Sequence, residues 1–214
     1  LKSAQNGNAD AMFKVACCYS HGEGVTQDKT KAFEWFLKSA ENGDAVAMNH
    51  VGFCYDNGQG VALDMAKAFE WYLKSAENGN AAAMFNVGWC YDNGEGVTQD
   101  KSKAFEWYLK SAENGDAKAM YNVGWRYSNG EGVTQDKTKA FEWFLKSAEN
   151  GYTDAMFIVG LYYSYGEGVT KDQVKGFEWL LKVAENGDAD AMRVVGICYQ
   201  YGQGVTKNLT KAFE

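Results

Sequence analysis

Apolar residues recur along the chain at the spacing of an α-helix. In the segment from Asp44 to Gly79, a stripe of apolar positions three or four apart is typical of a helix with one face on a core. The stripe consists of Ala68, Phe69, Tyr72, Leu73 and Ala76. A first helix precedes it and runs to about Asn57, and the glycine-rich loop 58–64 joins the two. The pattern predicts a pair of short helices, which we call helix A and helix B.

Glycines place this pair in a repeat of 36 residues. One series follows asparagine at every boundary between units: Gly7, Gly43, Gly79, Gly115, Gly151 and Gly187. Two more glycines lie in each loop, as Gly22 and Gly24 do in the first, and another series runs through helix A from Gly52 to Gly196. Every glycine except Gly176 belongs to one of these series, so the chain is a regular array.

Local signals for the start and end of each helix fit the same register. Asp44 can cap helix A through its side-chain oxygen, and Gly58 can take the left-handed conformation that ends the helix. Asp64 lies at the positive N-terminal end of helix B. Asn or Asp occupies the capping position of every A helix except the fifth, where Tyr152 stands. The absence of proline agrees with a nearly all-helical fold.

Several linked motifs at fixed spacing resemble the Sel-1-like repeat, a longer relative of the tetratricopeptide repeat. They read Ala-Met-Phe-Asn-Val-Gly-Trp-Cys-Tyr at 83–91, Gly-Glu-Gly-Val at 94–97, Asp100, Lys-Ala-Phe-Glu-Trp-Tyr at 103–108 and Ala-Glu-Asn-Gly at 112–115. The resemblance implies an all-α fold, a right-handed superhelical solenoid of antiparallel helix pairs that acts as an adaptor for protein partners. The departures are small: Thr or Ala follows the loop valine where the family often has proline, and Asn208 replaces the aspartate of helix B.

The repeat predicts a single array over residues 1–214, because a solenoid grows by adding units. Its units span about 8–43, 44–79, 80–115, 116–151 and 152–187, with a partial unit at 188–214 and the end of a preceding unit at 1–7. Leu1 aligns with Leu37 and Glu214 with Glu34, and neither end resembles a capping repeat. We therefore expect the natural protein to continue on both sides.

Composition and charge narrow the class of partner. The net charge of −7 and the pI of about 5.0 argue against nucleic acid and anionic membranes. The sequence has no run of 18 apolar residues, so we expect no membrane insertion. A protein or peptide is the expected partner, a glycan is the alternative, and no cofactor is expected.

The free side of helix A is the predicted binding surface, since this side lines the concave groove of tetratricopeptide-like arrays. A helical wheel of the third unit places Trp89 at its centre, opposite the packed residues. The same position is large and apolar in most units, and such patches often mark interaction sites: Cys17, Phe53, Trp89, Trp125, Leu161 and Ile197. The predicted groove residues are Phe53, Phe85, Asn86, Trp89, Asp92, Asn93, Tyr121, Asn122, Trp125, Arg126, Asn129 and Leu161.

Three functions remain open for this surface. Amides pair with peptide backbone and indoles anchor interfaces, which favours a scaffold for a partner segment. Trp89 and Trp125 with nearby Asn and Asp would also suit stacking on a sugar ring. In the third interpretation these tryptophans cover each other as plain packing, and the chain is a structural spacer within a larger protein. The five tryptophans of helix B share one position and are interpreted as structural: Trp35, Trp71, Trp107, Trp143 and Trp179.

The residues with chemical potential do not indicate an enzyme or a metal site. Cys18, Cys54, Cys90 and Cys198 share one repeat position, where neighbouring units are about 10 Å apart. A disulfide needs about 7 Å, so free thiols are predicted, which favours a reducing, cytoplasmic compartment. Cys17 and His21 are spaced as a nucleophile and base, but nothing orients the imidazole, and His50 is the only other histidine. Arg126 either holds a ligand carboxylate at the groove rim or pairs with a nearby acid.

Overall fold

The computed structural model describes residue 4 and residues 6–212, and this part of the chain contains helices and loops but no β-strand. The described helices divide between two compact units, 1–114 and 115–214. The first unit holds A helices α1 (Ala9–His21), α3 (Ala45–Asn57) and α5 (Ala81–Asn93), and B helices α2 (Lys29–Glu41), α4 (Met65–Glu77) and α6 (Lys101–Glu113). The second unit holds A helices α7 (Ala117–Asn129), α9 (Thr153–Tyr165) and α11 (Ala189–Tyr201), and B helices α8 (Lys137–Glu149) and α10 (Gln173–Glu185). Leu1 and Glu214, which we aligned with helix B, lie outside the described residues.

Capping residues and glycines set the helix ends as predicted. Asp44 accepts hydrogen bonds from the backbone N–H groups of Val46 and Ala47, at 2.9 and 3.1 Å. Tyr152 alone among the A-helix caps accepts no side-chain hydrogen bond from a backbone N–H group of its helix. Each A helix ends at a glycine with φ between 64° and 79°, a region that costs other residues about 1–2 kcal/mol. The helix boundaries were therefore readable from local sequence.

Buried serine hydroxyls join the two helices of one repeat. Ser75 near the end of α4 donates a hydrogen bond of 2.6 Å to the carbonyl of Ala45, the first residue of α3. The same bond recurs in three other repeats at 2.6–2.8 Å, from Ser39, Ser111 and Ser147. Because the end of helix B meets the start of helix A, the pair is antiparallel. These hydroxyls are fully buried, so each would be costly to leave without its acceptor.

Glycine permits the close approach of the two helices. A Cβ built on Gly52 would lie 2.6 Å from the ring of Tyr72, which is closer than carbon atoms can pack. A Cβ on Gly88 would come about as close to the ring of Tyr108, and a Cβ on Gly124 to the ring of Phe144. The third glycine series is therefore explained by packing, with the large helix B side chain lying directly on the backbone of helix A.

A loop glycine brings consecutive repeats together. Gly60 has a φ of 74°, and a Cβ on it would overlap the carbonyl of Lys29, the first residue of α2 in the preceding repeat. Gly24 of the first repeat has the same left-handed conformation but nothing within 4 Å. The loop glycine therefore serves the contact between repeats as well as the turn itself.

The tryptophans of helix B are half-buried, and each lies beneath a lysine of the next helical turn. The ammonium groups are 4.1–4.7 Å from the ring centroids, within the range of a cation–π interaction. This arrangement fits the structural role assigned to these tryptophans. Among the described helices, none is both long and apolar enough to cross a membrane.

Candidate functional site

Large apolar side chains are exposed on the A helices of the first unit. Phe53 on α3 is 45% exposed and Trp89 on α5 is 48% exposed, whereas the apolar core positions of the same helices, such as Val51 and Val87, are fully buried. The indole nitrogen of Trp89 donates to Glu95 Oε2 at 3.2 Å, which orients the ring. The helical wheel therefore placed these two residues correctly on the free side.

Polar side chains surround the two rings. Asn86 Nδ2 on α5 donates to Asn49 Oδ1 on α3 at 2.9 Å, so an amide pair links neighbouring A helices. Asn93 Nδ2 bonds the carbonyl of Trp89 at 3.0 Å, within its own helix. Asp92 forms an ion pair of 2.6 Å with Lys101. Asn86 is the amide best placed to meet a ligand backbone, whereas Asp92 already has a partner.

Phe85 requires a correction. The wheel placed it on the free side, but it is buried and packs on Tyr108 with ring centroids 5.3 Å apart. The glycine at position 88 admits the Tyr108 ring to the surface of α5, and Phe85 one turn earlier covers that ring. Phe85 therefore supports the surface from below.

The second unit presents a related surface. Trp125 on α7 and Ile197 on α11 are each 38% exposed, and Leu161 on α9 is half-buried. Tyr121 is also half-buried and packs between Phe144 and Tyr152, with centroids at 5.5 and 5.3 Å.

Two amides of the second unit bond within their own helix. Asn122 Nδ2 donates to the carbonyl of Lys118 at 2.9 Å, and Asn129 Nδ2 donates to the carbonyl of Trp125 at the same distance. Both bonds span one helical turn. Of the predicted residues of this unit, only Trp125 is an exposed apolar side chain, and both asparagine amides are already bonded to their own helix.

Arg126 is buried, although we considered a position at the groove rim. Its Nη1 donates to Glu131 Oε2 at 3.1 Å, and its guanidinium carbon lies 5.4 Å from the ring centroid of Trp125. Glu131 belongs to the loop that follows α7, so the pair holds the loop to the helix. Of the two roles open to this residue, the structure favours pairing with a nearby acid.

The cysteines are free thiols, and three of them, Cys54, Cys90 and Cys198, are buried. Burial raises the pKa of Cys54 to about 11 and that of Cys90 to about 12, so both are protonated near neutral pH. Burial, followed by the charges of Cys18 and Glu23, also raises the pKa of Cys17. A reactive cysteine needs a lowered pKa, and these groups have the opposite shift.

A cleft between α1 and α3 was missed by sequence analysis. It has a volume of about 280 Å³, and its walls include Ser20, His21, Lys29, His50, Cys54 and Gln59. Lys29 comes from helix B of the first repeat and Gln59 from the loop of the second. A wheel drawn for one helix cannot bring these residues together, but an alignment of the repeats against one another shows that both positions vary.

Comparisons with known proteins place the chain among helical repeat proteins. The family model described as "Sel1 repeat" matches residues 9–44, 45–80, 81–116, 117–152, 153–188 and 189–214. These bounds differ by one residue from those predicted from the glycine series. No curated protein matches the chain.

Several solved structures are similar to the chain. A protective antigen of uropathogenic Escherichia coli with an SLR fold is 35% identical over 99% of this chain, with a TM-score of 0.95, and the match spans 45% of that protein's chain. A Sel1 repeat protein from Oxalobacter formigenes is 31% identical, with a TM-score of 0.88, and the match covers 97% of this chain and 85% of that one. Cysteine rich protein B of Helicobacter pylori is 26% identical, with a TM-score of 0.51 over 64% of this chain and 98% of its own.

Proposed function

Because the chain belongs to the Sel1 repeat family, we propose that it is an interaction scaffold whose exposed A-helix faces bind an extended segment of a partner protein. Sel1 repeat proteins generally act as scaffolds for protein–protein interactions, and their repeats form a non-catalytic helical framework. The family and the all-α repeat fold predicted from the sequence are confirmed. That all 214 residues form one array stays a prediction.

The exposure of Phe53 and Trp89 is the observation that supports this proposal most directly. Large aromatic residues are enriched at interfaces because they bury much apolar area with little loss of side-chain entropy. The bonds of Trp89 to Glu95 and of Asn93 to the carbonyl of Trp89 hold this part of α5 in one geometry before a ligand arrives. A preorganised anchor lowers the entropic cost of binding.

The amide pair between Asn86 and Asn49 supports an extended peptide as the occupant. The bond between them uses one polar atom of each side chain, which leaves Asn86 Oδ1 and Asn49 Nδ2 for water or a ligand. An acceptor and a donor on neighbouring helices match the alternating N–H and C=O groups of an extended backbone. We therefore propose that aromatic residues anchor the side chains of the partner and that the amides hold its backbone.

A random-peptide screen of the wild type and a Phe53→Ala/Trp89→Ala variant tests the proposal. If these rings are anchors, selected peptides should bind the variant at least about 30-fold more weakly. Leu63→Ala is the matched control, because Leu63 is an exposed apolar residue of the loop 58–64 outside this face. Thermal unfolding of all three proteins separates loss of a surface from loss of fold.

The outcomes discriminate between the functions considered. Weaker binding with an unchanged melting temperature would support the scaffold, whereas a large fall in melting temperature would show that the rings are packing residues. Glycan arrays run beside the peptides test the carbohydrate alternative, which the known relatives do not support. A wild-type protein that selects no ligand of either kind would indicate a spacer and overturn the proposal.

A further inference from the structure

The cleft between α1 and α3 in the first unit differs in composition from the rest of this acidic chain. Lys29, His21 and His50 are among the residues that form its walls, together with the polar Ser20 and Gln59. No carboxylate is among its lining residues, although acidic residues outnumber basic ones in the chain by 28 to 21. Its volume of about 280 Å³ is many times what one water molecule needs.

The equivalent place one repeat later in the same unit holds two polar groups that are bonded to each other. Tyr72 stands where the first repeat has Phe36, and its hydroxyl donates to Asp56 Oδ2 at 3.2 Å. Asp56 in turn is equivalent to Ser20. The first repeat therefore lacks both the hydroxyl and the carboxylate that occupy this place in the second repeat.

The two other lysines at this position of the repeat, Lys101 and Lys137, have acidic partners that Lys29 lacks. In the third repeat the equivalent Lys101 pairs at 2.6 Å with Asp92, at the position of Ser20. In the second unit the equivalent Lys137 pairs at 3.3 Å with Glu167, at the position of Gln59. Both partner positions are neutral around Lys29.

The Lys29 ammonium bonds Ser20 instead, at 3.0 Å to the carbonyl and 3.2 Å to the hydroxyl. Within the described part of the chain, no carboxylate lies within 4.0 Å of it. Two acids act on lining residues other than Lys29: the charge of Glu23 acts on the pKa of Cys17, and the charge of Asp44 acts on the pKa of His50.

We propose that this cleft receives the carboxylate of an aspartate or glutamate side chain of the bound partner. Lys29 supplies the charge, and the Gln59 amide can donate a second hydrogen bond, which is a common way to hold a carboxylate. The adjacent Phe53 provides an apolar wall for the methylene groups of the acidic side chain. The inference rests on the proposed function, because it names the chemistry of one residue in the partner segment.

The second unit has a related cleft, in which Gln173 stands at the position of Lys29 and the lysine, Lys171, comes from the loop instead. A cleft of about 180 Å³ between α9 and α11 is lined by residues that include Ser164, Lys171, Cys198 and Gln203, again without a carboxylate. Among the six loops, only those of the second and sixth repeats have glutamine between the two glycines, as Gln59 and Gln203. The others have glutamate. Both clefts therefore occur where the loop acid is replaced by its neutral amide.

The cleft can be tested with small probes that carry one carboxylate. N-acetylglutamate α-methylamide presents only the side-chain carboxylate, the corresponding glutamine derivative presents none, and N-acetylalanine presents only a terminal carboxylate. Titration of the ¹⁵N-labelled chain by NMR would follow the signals of Lys29, Gln59 and His50. From the affinity per atom of small ligands, we expect a dissociation constant of about 1 mM for the glutamate probe.

Variants can take the residues that other repeats already use. Lys29→Met introduces the residue of the second repeat, Met65. Gln59→Glu introduces the loop glutamate of four other repeats, and the new carboxylate would form an ion pair with Lys29 as Glu167 does with Lys137. Each should weaken binding of the glutamate probe about tenfold or more, because a charged hydrogen bond is lost or competed for. Lys31→Met is the matched control, since Lys31 is exposed on the same helix and pairs with Asp28 at 3.3 Å outside the cleft.

Saturable shifts with the glutamate probe alone, lost in both variants and kept in Lys31→Met, would support the proposal. Equal shifts with the glutamine probe, binding of N-acetylalanine alone, or no response would overturn it. If the wild type selects peptides that contain no acidic residue, and the NMR signals of the cleft do not respond to the glutamate probe, this inference is wrong and the scaffold function stands. A cleft that binds the glutamate probe in a chain that selects no peptide would overturn the scaffold function instead.

Discussion

The contact between consecutive repeats at the loop glycine can be tested by a pair of substitutions, Gly96→Ala and Gly79→Ala. Both glycines belong to the first unit and have a left-handed backbone, with φ of 69° and 85°. A methyl group on Gly79 would have nothing within 4 Å, whereas one on Gly96 would overlap the carbonyl of Met65 and lie 3.0 Å from the nitrogen of Ala66. The pair therefore separates conformational strain from collision.

The expected magnitudes follow from these surroundings. Left-handed alanine costs about 1–2 kcal/mol, which applies to both variants. The overlap at Gly96 involves backbone atoms at the start of α4, which cannot rotate away as a side chain would, so it adds about 1–3 kcal/mol. The entropy that alanine removes from the unfolded chain is common to both and cancels. Gly96→Ala should lower the free energy of unfolding by about 1–3 kcal/mol more than Gly79→Ala does.

Equilibrium unfolding in urea, followed by far-ultraviolet circular dichroism, measures this difference. The denaturant dependence of the two variants must agree before their free energies are compared, because repeat proteins can depart from two-state unfolding. Free energies of unfolding that agree within about 0.5 kcal/mol would refute the reasoning. The loop glycine would then be required by its turn alone.

Three further predictions concern stability. Ser75→Ala should lower the free energy of unfolding by about 1 kcal/mol, because it removes the buried bond to the Ala45 carbonyl; an unchanged urea midpoint would contradict this. Burial lowers the pKa of His50, so the unfolded chain binds a proton more readily, and the free energy of unfolding should fall as the pH drops below about 6.5. The variant His50→Asn, which has the residue of the third and fourth repeats at this position, should show a smaller difference between unfolding curves at pH 5 and 7.5. An identical pH dependence in the variant would exclude His50 as its source. Asp136→Ala should lower the stability measured by thermal unfolding by about 1 kcal/mol, because the Asp136 carboxylate accepts a 3.0 Å hydrogen bond from the backbone N–H of Lys139. Lys139→Ala keeps that N–H and removes only the ion pair, so a similar loss of stability in this variant would assign the effect to the ion pair instead.

The fold could be predicted from sequence because its determinants are local. A cap such as Asp44 and a left-handed glycine such as Gly58 act within a few residues of themselves, so they place a helix end without knowledge of the tertiary structure. Because the 36-residue period repeats each capping and glycine position in every unit, a single irregular unit, such as the one with Tyr152 at its cap, does not obscure the pattern.

The candidate site was only partly predictable. A helical wheel describes one helix in isolation, and it correctly exposed Phe53 and Trp89. It failed for Phe85, because the position of that ring depends on how deeply Tyr108 enters over Gly88. The cleft at Lys29 and Gln59 is assembled from two repeats, and its chemistry becomes evident only when each residue is compared with its counterparts.

The cleft positions lie outside the residues that hold the helices together. Ser20 and Gln59 neither cap a helix nor form the buried core. Within this one chain the position of Ser20 is Ser, Asp or Gln, and the position of Gln59 is Gln or Glu. Duplication of a 36-residue unit therefore copies the proposed carboxylate cleft together with the helices that form it. One or two codon changes would then alter the charge of the copied cleft, so a new specificity could arise without a new fold.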